Sequence, residues 1–391
     1  MKTFLTNALL AALVFAGQLG ASPAQARAAG LVDLSGGFDP FVRQASAEAD
    51  GFDLTDVCDR CRSCNCTSPW TVNLTQTADY GTALALPIGL TPANTLLAPV
   101  GNPAAAGILN LPQAANLGLL GNLGLAAVPP GTNVMGVFED DFQFQSTAGL
   151  GYKHQIDEYR TLTLGYSYYQ NLHPDVKQLD LMSHTPSVNY AVKLTDRITT
   201  ATYYNYAYYF LSGSSFLTQN RIGSLTTFAA NERWTYNLGV NYANVNFRQG
   251  ADFLNSDNYA GTFEANRFLD SAQTRYLRIG YGGGYSDALN QGFSYRVNNI
   301  YSVYRFLFGS DNKNEMRLSS GYGFYDFVGA DPIQQNLKRN DNIYTAGVYY
   351  GRQLSTNVQL FAQYTYLNSN SNVSRQLYNS DLFSLGVTYV K

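Results

Sequence analysis

"ITTATYYNYAYYFLSGSSFL", residues 198–217, carries no charged side chain, yet places six aromatics within residues 203–210. A water-facing surface does not tolerate such a face, and a core helix would not use so many β-branched threonines beside tyrosines. Read with a period of two, Tyr204, Tyr206, Tyr208 and Phe210 fall on one side of an extended strand. The same period recurs. "FQFQSTAGLGYK" (142–153) sets Phe142, Phe144, Ala148, Leu150 and Tyr152 against Gln143, Gln145, Thr147, Gly149 and Gly151. "YRTLTLGYSYYQ" (159–170) sets Leu162, Leu164, Tyr166 and Tyr168 against Thr161, Thr163, Gly165 and Ser167. "WTYNLGVNYAN" (234–244) sets Trp234, Tyr236, Leu238, Val240 and Tyr242 against Thr235, Asn237, Gly239 and Asn241. A helical period of 3.6 would scramble all four sets. In water the outward face of a strand is polar; an apolar outward face opposite a polar inner one is the pattern of a strand in lipid.

Composition agrees. Charged residues make up 14% of the chain, against about 25% in an ordinary soluble domain. Aromatics also stand at 14%, led by 30 tyrosines, with 35 glycines. Tyr80 is the first tyrosine and Tyr152 the next, after which they recur to the end. The formal net charge of −3 is too small and of the wrong sign for a nucleic-acid partner.

The N-terminus predicts export. Lys2 precedes the apolar run "FLTNALLAALVFAG" (4–17), and "AQA" (24–26) offers small residues for cleavage after Ala26, so residues 1–26 read as a signal peptide. No later window is apolar for long enough to form a membrane helix; 90–128 comes nearest but is broken by Pro, Asn and Gly. No cysteine stands at the spacing of a lipid-anchored N-terminus.

Counting alternating segments predicts an all-β, transmembrane antiparallel barrel of about fourteen strands over residues 69–391, in the bacterial outer membrane with outer-membrane lipids around it. The strands are expected at 69–80, 142–155, 159–172, 178–194, 198–211, 215–229, 233–248, 258–269, 274–286, 293–308, 314–328, 341–353, 357–369 and 379–391. Short links such as "IDE" (156–158), "TDR" (195–197) and "ANE" (230–232) alternate with longer ones such as 248–258 and 328–341. Short periplasmic turns and longer external loops produce that asymmetry. Barrel closure also pairs every strand edge that lipid could not satisfy.

Residues 27–68 form an expected periplasmic segment containing "CDRCRSCNC", with Cys58, Cys61, Cys64 and Cys66. The run approaches the C-x2-C-x2-C spacing of ferredoxins, but the fourth cysteine comes two residues on and no Pro follows it. Nine residues are few for surrounding zinc, and neither C-x-x-C pair is followed by His for haem. In an exported chain the simpler reading is two disulfides; a metal or redox role is the alternative, and all three pairings stay open. Residues 81–138 then contain no Asp, Glu, Lys or Arg, which makes 81–141 a long apolar external loop expected to enter the barrel mouth as a constriction or plug.

Inside the barrel, alternation assigns Lys153, Lys193, Arg278, Arg296 and Arg317 inward, with Glu264 as the main acid. Such a wall suits small polar solutes and favours anions weakly, which predicts a passive porin-like channel. The bland reading is that these charges pair or hydrate. His154, His173 and His184 sit in no motif for nucleophilic catalysis, so no enzyme, cofactor or metal is expected. "EDD" (139–141) reads as a solvated rim, with a divalent cation bridging lipopolysaccharide as the alternative, and "GYGGGY" (280–285) as strand glycines that allow curvature or close packing. Phe383, Leu385, Val387 and Tyr389 share one face of the last strand, which resembles the C-terminal signal read by the outer-membrane assembly machinery, although the chain ends in Lys391. A homo-oligomer is compatible with the composition, but no face for it is visible in the pattern.

Two stretches, "LTLGYSYYQNLHPDVKQLDLMSHTPSVNY" (162–190) and "YYNYAYYFLSGSSFLTQNRIGSLTTF" (203–228), resemble C-terminal barrels of outer-membrane proteins that carry tetratricopeptide repeats, including the surface lipoprotein assembly modifier type. The resemblance runs loosely from Trp70 to Lys391 and implies a fourteen-stranded barrel that moves a lipoprotein cargo. The repeats that engage such cargo have no counterpart in the short segment 27–68.

Overall fold

Alternation that continues through fourteen segments leaves no edge strand only if the last segment pairs with the first, and the computed structural model has that arrangement. It describes residues 70–81, 141–172, 174, 180–248, 252–309, 312–330, 337–372 and 378–390. The expected signal peptide, the cysteine cluster and nearly all of the apolar loop 81–141 lie outside the described residues. In chain order the strands are β1 (Trp70–Gly81), β2 (Asp141–Gln155), β3 (Arg160–Leu172), β4 (Leu181–Lys193), β5 (Ile198–Leu211), β6 (Ser214–Asn231) and β7 (Trp234–Phe247). They continue with β8 (Ser256–Phe268), β9 (Arg275–Ala288), β10 (Tyr295–Phe308), β11 (Asn314–Ala330), β12 (Lys338–Gln353), β13 (Val358–Ser371) and β14 (Tyr378–Val390). Each pairs antiparallel with its neighbours, and β1 closes on β14 from Asn73↔Val390 to Gly81↔Leu382. The strand count and order match the expectation, and β5 matches it residue for residue.

The barrel has two unlike ends. At one, called here the turn end, the links are 156–159, 194–197, 232–233, 269–274, 309–313 and 354–357. Side chains close several of them. Asp157 accepts from the backbone N–H of Tyr159 (2.9 Å) and Arg160 (2.8 Å), and Asn231 from those of Arg233 (2.9 Å) and Trp234 (3.0 Å). At the other, the loop end, the tightest link is Ser212–Gly213, both at positive φ (49° and 76°), as a two-residue hairpin requires.

The opening stretch resolves into two faces. Tyr204 and Tyr206 point outward and are exposed, whereas Tyr203 and Ala207 are buried inside. Adjacent tyrosines therefore serve opposite sides of one wall. The exterior carries Leu150, Leu164, Ile222, Leu238, Val240, Phe263, Ile279, Ile300 and Leu385, all exposed. Two pairs of its hydroxyls bond across strands, Thr200 with Thr226 (3.0 Å) and Ser302 with Ser320 (2.9 Å), which spares them an unmade bond in lipid.

Six outward tyrosines repeat one contact. From β3, β5, β7, β9, β11 and β13, which run toward the loop end, a tyrosine hydroxyl reaches a polar side chain on the next strand, two residues nearer the loop end than its own cross-strand partner. Tyr166 meets His184 (2.6 Å) across β3–β4, Tyr204 donates to Asn220 (2.8 Å) across β5–β6, and Tyr242 to Asp257 (2.6 Å) across β7–β8. Tyr281 donates to Asn298 (2.6 Å), Tyr322 to Asn342 (2.6 Å) and Tyr364 to Asp381 (2.5 Å) across the three hairpins that follow. A ring in lipid with its hydroxyl turned to the polar side is the arrangement of a membrane-interface girdle.

Candidate functional site

The inner wall holds the charge. Lys153, Lys193, Glu264, Arg278 and Arg317 all face inward by the strand alternation, and Glu264, Arg278 and Arg317 are buried. Lys193 stands at the turn end and pairs with Asp196 of the adjoining link at 2.7 Å. Arg296 corrects the sequence reading. It is exposed on the outer face of β10, opposite Tyr285 and Asp326, while Tyr295 and Val297 on either side of it are buried. β10 carries bulky apolar groups on both faces, Tyr295, Val297, Tyr301 and Val303 inside and Ile300, Tyr304 and Phe306 outside, so its alternation does not reveal which face is inner. Five further inward charges escaped the reading: Arg305, in β10, Glu315, Arg339 and Asp341, which sit near strand ends, and Arg221, in the middle of β6.

Two rows organise these groups. Near the turn end, Tyr276, Arg305, Arg317 and Tyr349 stand directly opposite one another on β9, β10, β11 and β12. Two arginines face to face repel. Glu315 offsets this by accepting from Nε of Arg305 (2.8 Å) and from Nε of Arg317, and the rings share the charge: Arg317 lies 4.8 Å over Tyr349, and Arg305 and Arg278 each lie 5.7 Å from Tyr276. Arg305, Glu315 and Arg317 are 2%, 1% and 1% exposed.

Deeper in the barrel, a second row is neutral but for one acid. Thr227 donates to Asn237 (2.9 Å), Asn237 to Glu264 (2.8 Å), and the Tyr301 hydroxyl to the other oxygen of Glu264. Gly280 stands between Glu264 and Tyr301, paired with both. A Cβ there would lie 2.1 Å from the Tyr301 ring, so the missing side chain is what lets the phenol cross β9.

Part of the loop end is apolar inside. Leu181, Leu217, Val245, Phe247 and Ala288 from the strands pack with Leu254 and Phe293, which come from two 3-10 turns, 252–254 and 291–293, folded inward. The second turn sits on Gly329, where a Cβ would approach the Gln291 backbone to 2.7 Å. Beside it Arg339 pairs with Asp341 (2.7 Å) and lies 4.4 Å over Phe327, itself packed on Tyr295. The packing of the β7–β8 and β9–β10 links against the inner wall differs from the expectation: 248–258 reads as plain loop and Phe293 as the first residue of a strand, because their contacts are between distant residues. On β14, Phe383 and Leu385 are exposed on the outer face (60% and 61%), with Val387 and Tyr389 in register. Among the described residues no group of three or more His, Cys, Asp or Glu is placed to hold a metal ion.

A closed antiparallel barrel with an apolar, tyrosine-bordered exterior and a charged interior defines an outer-membrane β-barrel protein, and this chain is one. Neither any family model nor any curated protein matches it. Solved structures similar to it include a bacterial polysaccharide outer membrane secretin (TM-score 0.41, 9% identity, covering 81% of this chain and 97% of that one). A loop L8 deletion mutant of OmpT, an outer membrane protein of Vibrio cholerae, aligns with TM-score 0.43 and 7% identity over 82% and 98%. An anion-selective porin from Comamonas acidovorans aligns with TM-score 0.41 and 10% identity over 82% and 98%.

Proposed function

We propose that this barrel is a porin-like channel for passive diffusion of small polar solutes with a weak preference for anions. The observation that carries the reading is the sign of the inner wall: among strand residues with described side chains, Lys153, Lys193, Arg221, Arg278, Arg305, Arg317 and Arg339 outnumber Glu264, Glu315 and Asp341. Excess positive charge on a low-dielectric wall lowers the barrier for anions and raises it for cations. Refolded protein in a planar bilayer should give ohmic steps, and under a salt gradient a reversal potential of anionic sign. Cation preference would overturn the selectivity, and absence of steps the channel.

A second reading, a barrel whose interior is closed, draws on the near-complete burial of Arg305, Glu315, Arg317 and Arg339 and on the inward-folded loop end. It expects no conductance in the same recording. The likeness of 162–190 and 203–228 to tetratricopeptide-type barrels would add cargo translocation, in which case conductance should depend on a bound lipoprotein. On either reading Phe383, Leu385, Val387 and Tyr389 serve as the assembly signal, and the exported chain carries a disulfide-stapled segment before β1. Thiol labelling of folded, unreduced protein should then find no free cysteine.

A further inference from the structure

The outer surface is not symmetric in charge. At the turn end the outward strand positions carry Arg160, Arg267, Arg275 and Arg352, all exposed, and among the described residues no acid shares that face. Three acids in the links of that end are committed to their own turns. Asp157 caps the β2–β3 link and pairs with Arg160, Asp196 pairs with Lys193, and Asp270 accepts from the Thr274 backbone (2.7 Å). At the loop end the outward positions hold Asp257, Asp287, Asp326 and Asp381, with Arg296 and Lys338 between them.

Strand length places these arginines at a lipid boundary. Ten residues separate Asp257 from Arg267 on β8 and Asn342 from Arg352 on β12, and Asp257 and Asn342 are acceptors of the tyrosine girdle. Ten residues rise about 34 Å along a strand, or about 26 Å across a bilayer at a tilt of about 40°, which is the height of a barrel's apolar band. The outward residues between them are Tyr259, Gly261, Phe263 and Ala265 on β8 and Tyr344, Ala346, Val348 and Tyr350 on β12, none of them charged. If the tyrosine acceptors mark one headgroup level, the arginines stand at the other. Both tryptophans of the chain share that level: Trp70 is exposed, and Trp234 has Arg267 stacked 5.4 Å over it.

We propose that this rim is a phospholipid clamp, in which Arg267, Arg275 and Arg352 hold phosphates of anionic phospholipids and so fix the turn end in the phospholipid leaflet, while Arg160 is engaged by Asp157. Guanidinium suits the role because its planar fork can grip a phosphate with two parallel hydrogen bonds. The acidic loop-end rim lacks that complementarity. The proposal rests on the membrane barrel and not on whether its interior conducts.

Trp70 and Trp234 report the outcome directly. Full-length protein refolded into phosphatidylcholine vesicles with a minor fraction of acyl-brominated phosphatidylglycerol should be quenched more than with the same fraction of brominated phosphatidylcholine. The expected local enrichment is about fivefold per engaged arginine at low salt, falling as salt rises. The R267Q/R275Q/R352Q variant should lose the difference, and the matching set of Arg→Lys replacements, which keeps the charge but not the planar fork, should keep only part of it. Should the threefold variant not fold, R275Q/R352Q should remove most of the effect. Equal quenching by the two lipids in the wild type, or a preference that survives removal of the arginines, overturns the proposal.

Discussion

Tyr301 reaches Glu264 over the bare backbone of Gly280, so a three-strand span inside the wall is closed by one phenol. The contact joins β8 to β10, which do not pair with each other. Y301F should leave Glu264 with Asn237 but without its second donor, a loss of about 1–3 kcal/mol. G280V should cost at least as much, because the new methyl groups must expel the ring. Urea unfolding in vesicles, followed by loss of heat-modifiable migration, measures both. Near-wild-type stability for G280V would mean that the tyrosine has another place to lie.

Glu315 is the acid that lets two opposed arginines share the wall. E315Q should destabilise the barrel by about 3 kcal/mol, the range for breaking a buried ion pair. If the lumen conducts, the same change should move the reversal potential further toward anions. An unchanged potential would place the Arg305–Arg317 row outside the ion path.

The loop-end core makes a separate prediction. F293A removes a ring from the packing among Val245, Phe247, Leu254 and Ala288, at a cost of about 3 kcal/mol. In a conducting barrel it should also raise single-channel conductance, since the 291–293 turn is folded inward. Lost stability with unaltered conductance would confine that turn to a structural role.

Asp270 gives a pH test away from the bilayer interior. Partial burial would raise its carboxyl, but the Thr274 hydroxyl and the backbone N–H groups of Thr274 and Arg275, with the Arg275 charge, outweigh that and hold it below 3.8. A depressed folded-state value stabilises above the unfolded value and is lost as pH falls through the folded one. The stability gap between wild type and D270N should therefore be full at neutral pH, shrink below about 4 and vanish in stronger acid. A gap independent of pH would show that Asp270 acts through shape alone.

Much of this architecture was legible in the residues, because a lipid-facing strand must alternate and the alternation of β3, β5 and β7 is clean. The Leu162–Tyr168 set, the Tyr204–Phe210 set and the Trp234–Tyr242 set all lie on the outer face. Legibility failed where both faces are bulky. In β10 the inner wall is as aromatic as the outer one, which is why Arg296 reads as inward from the sequence yet is exposed outside. It failed again where geometry depends on distant contacts: nothing near Phe293 signals that it will join one apolar cluster with Val245 and Leu217. The tyrosine girdle was half legible. The tyrosines stand out, but their acceptors are defined only by register between strands.

The seam between β1 and β14 has a kinetic corollary. Thr75 meets Thr388 there, 313 positions apart, while the other thirteen pairings join strands consecutive in the chain. Hairpins can zip locally and early, but cylinder closure must await the arrival of the final dozen residues. Shortening the chain at its carboxyl end would thus strand two open edges in hydrocarbon instead of merely trimming one strand, so tolerance to truncation should end abruptly at β14.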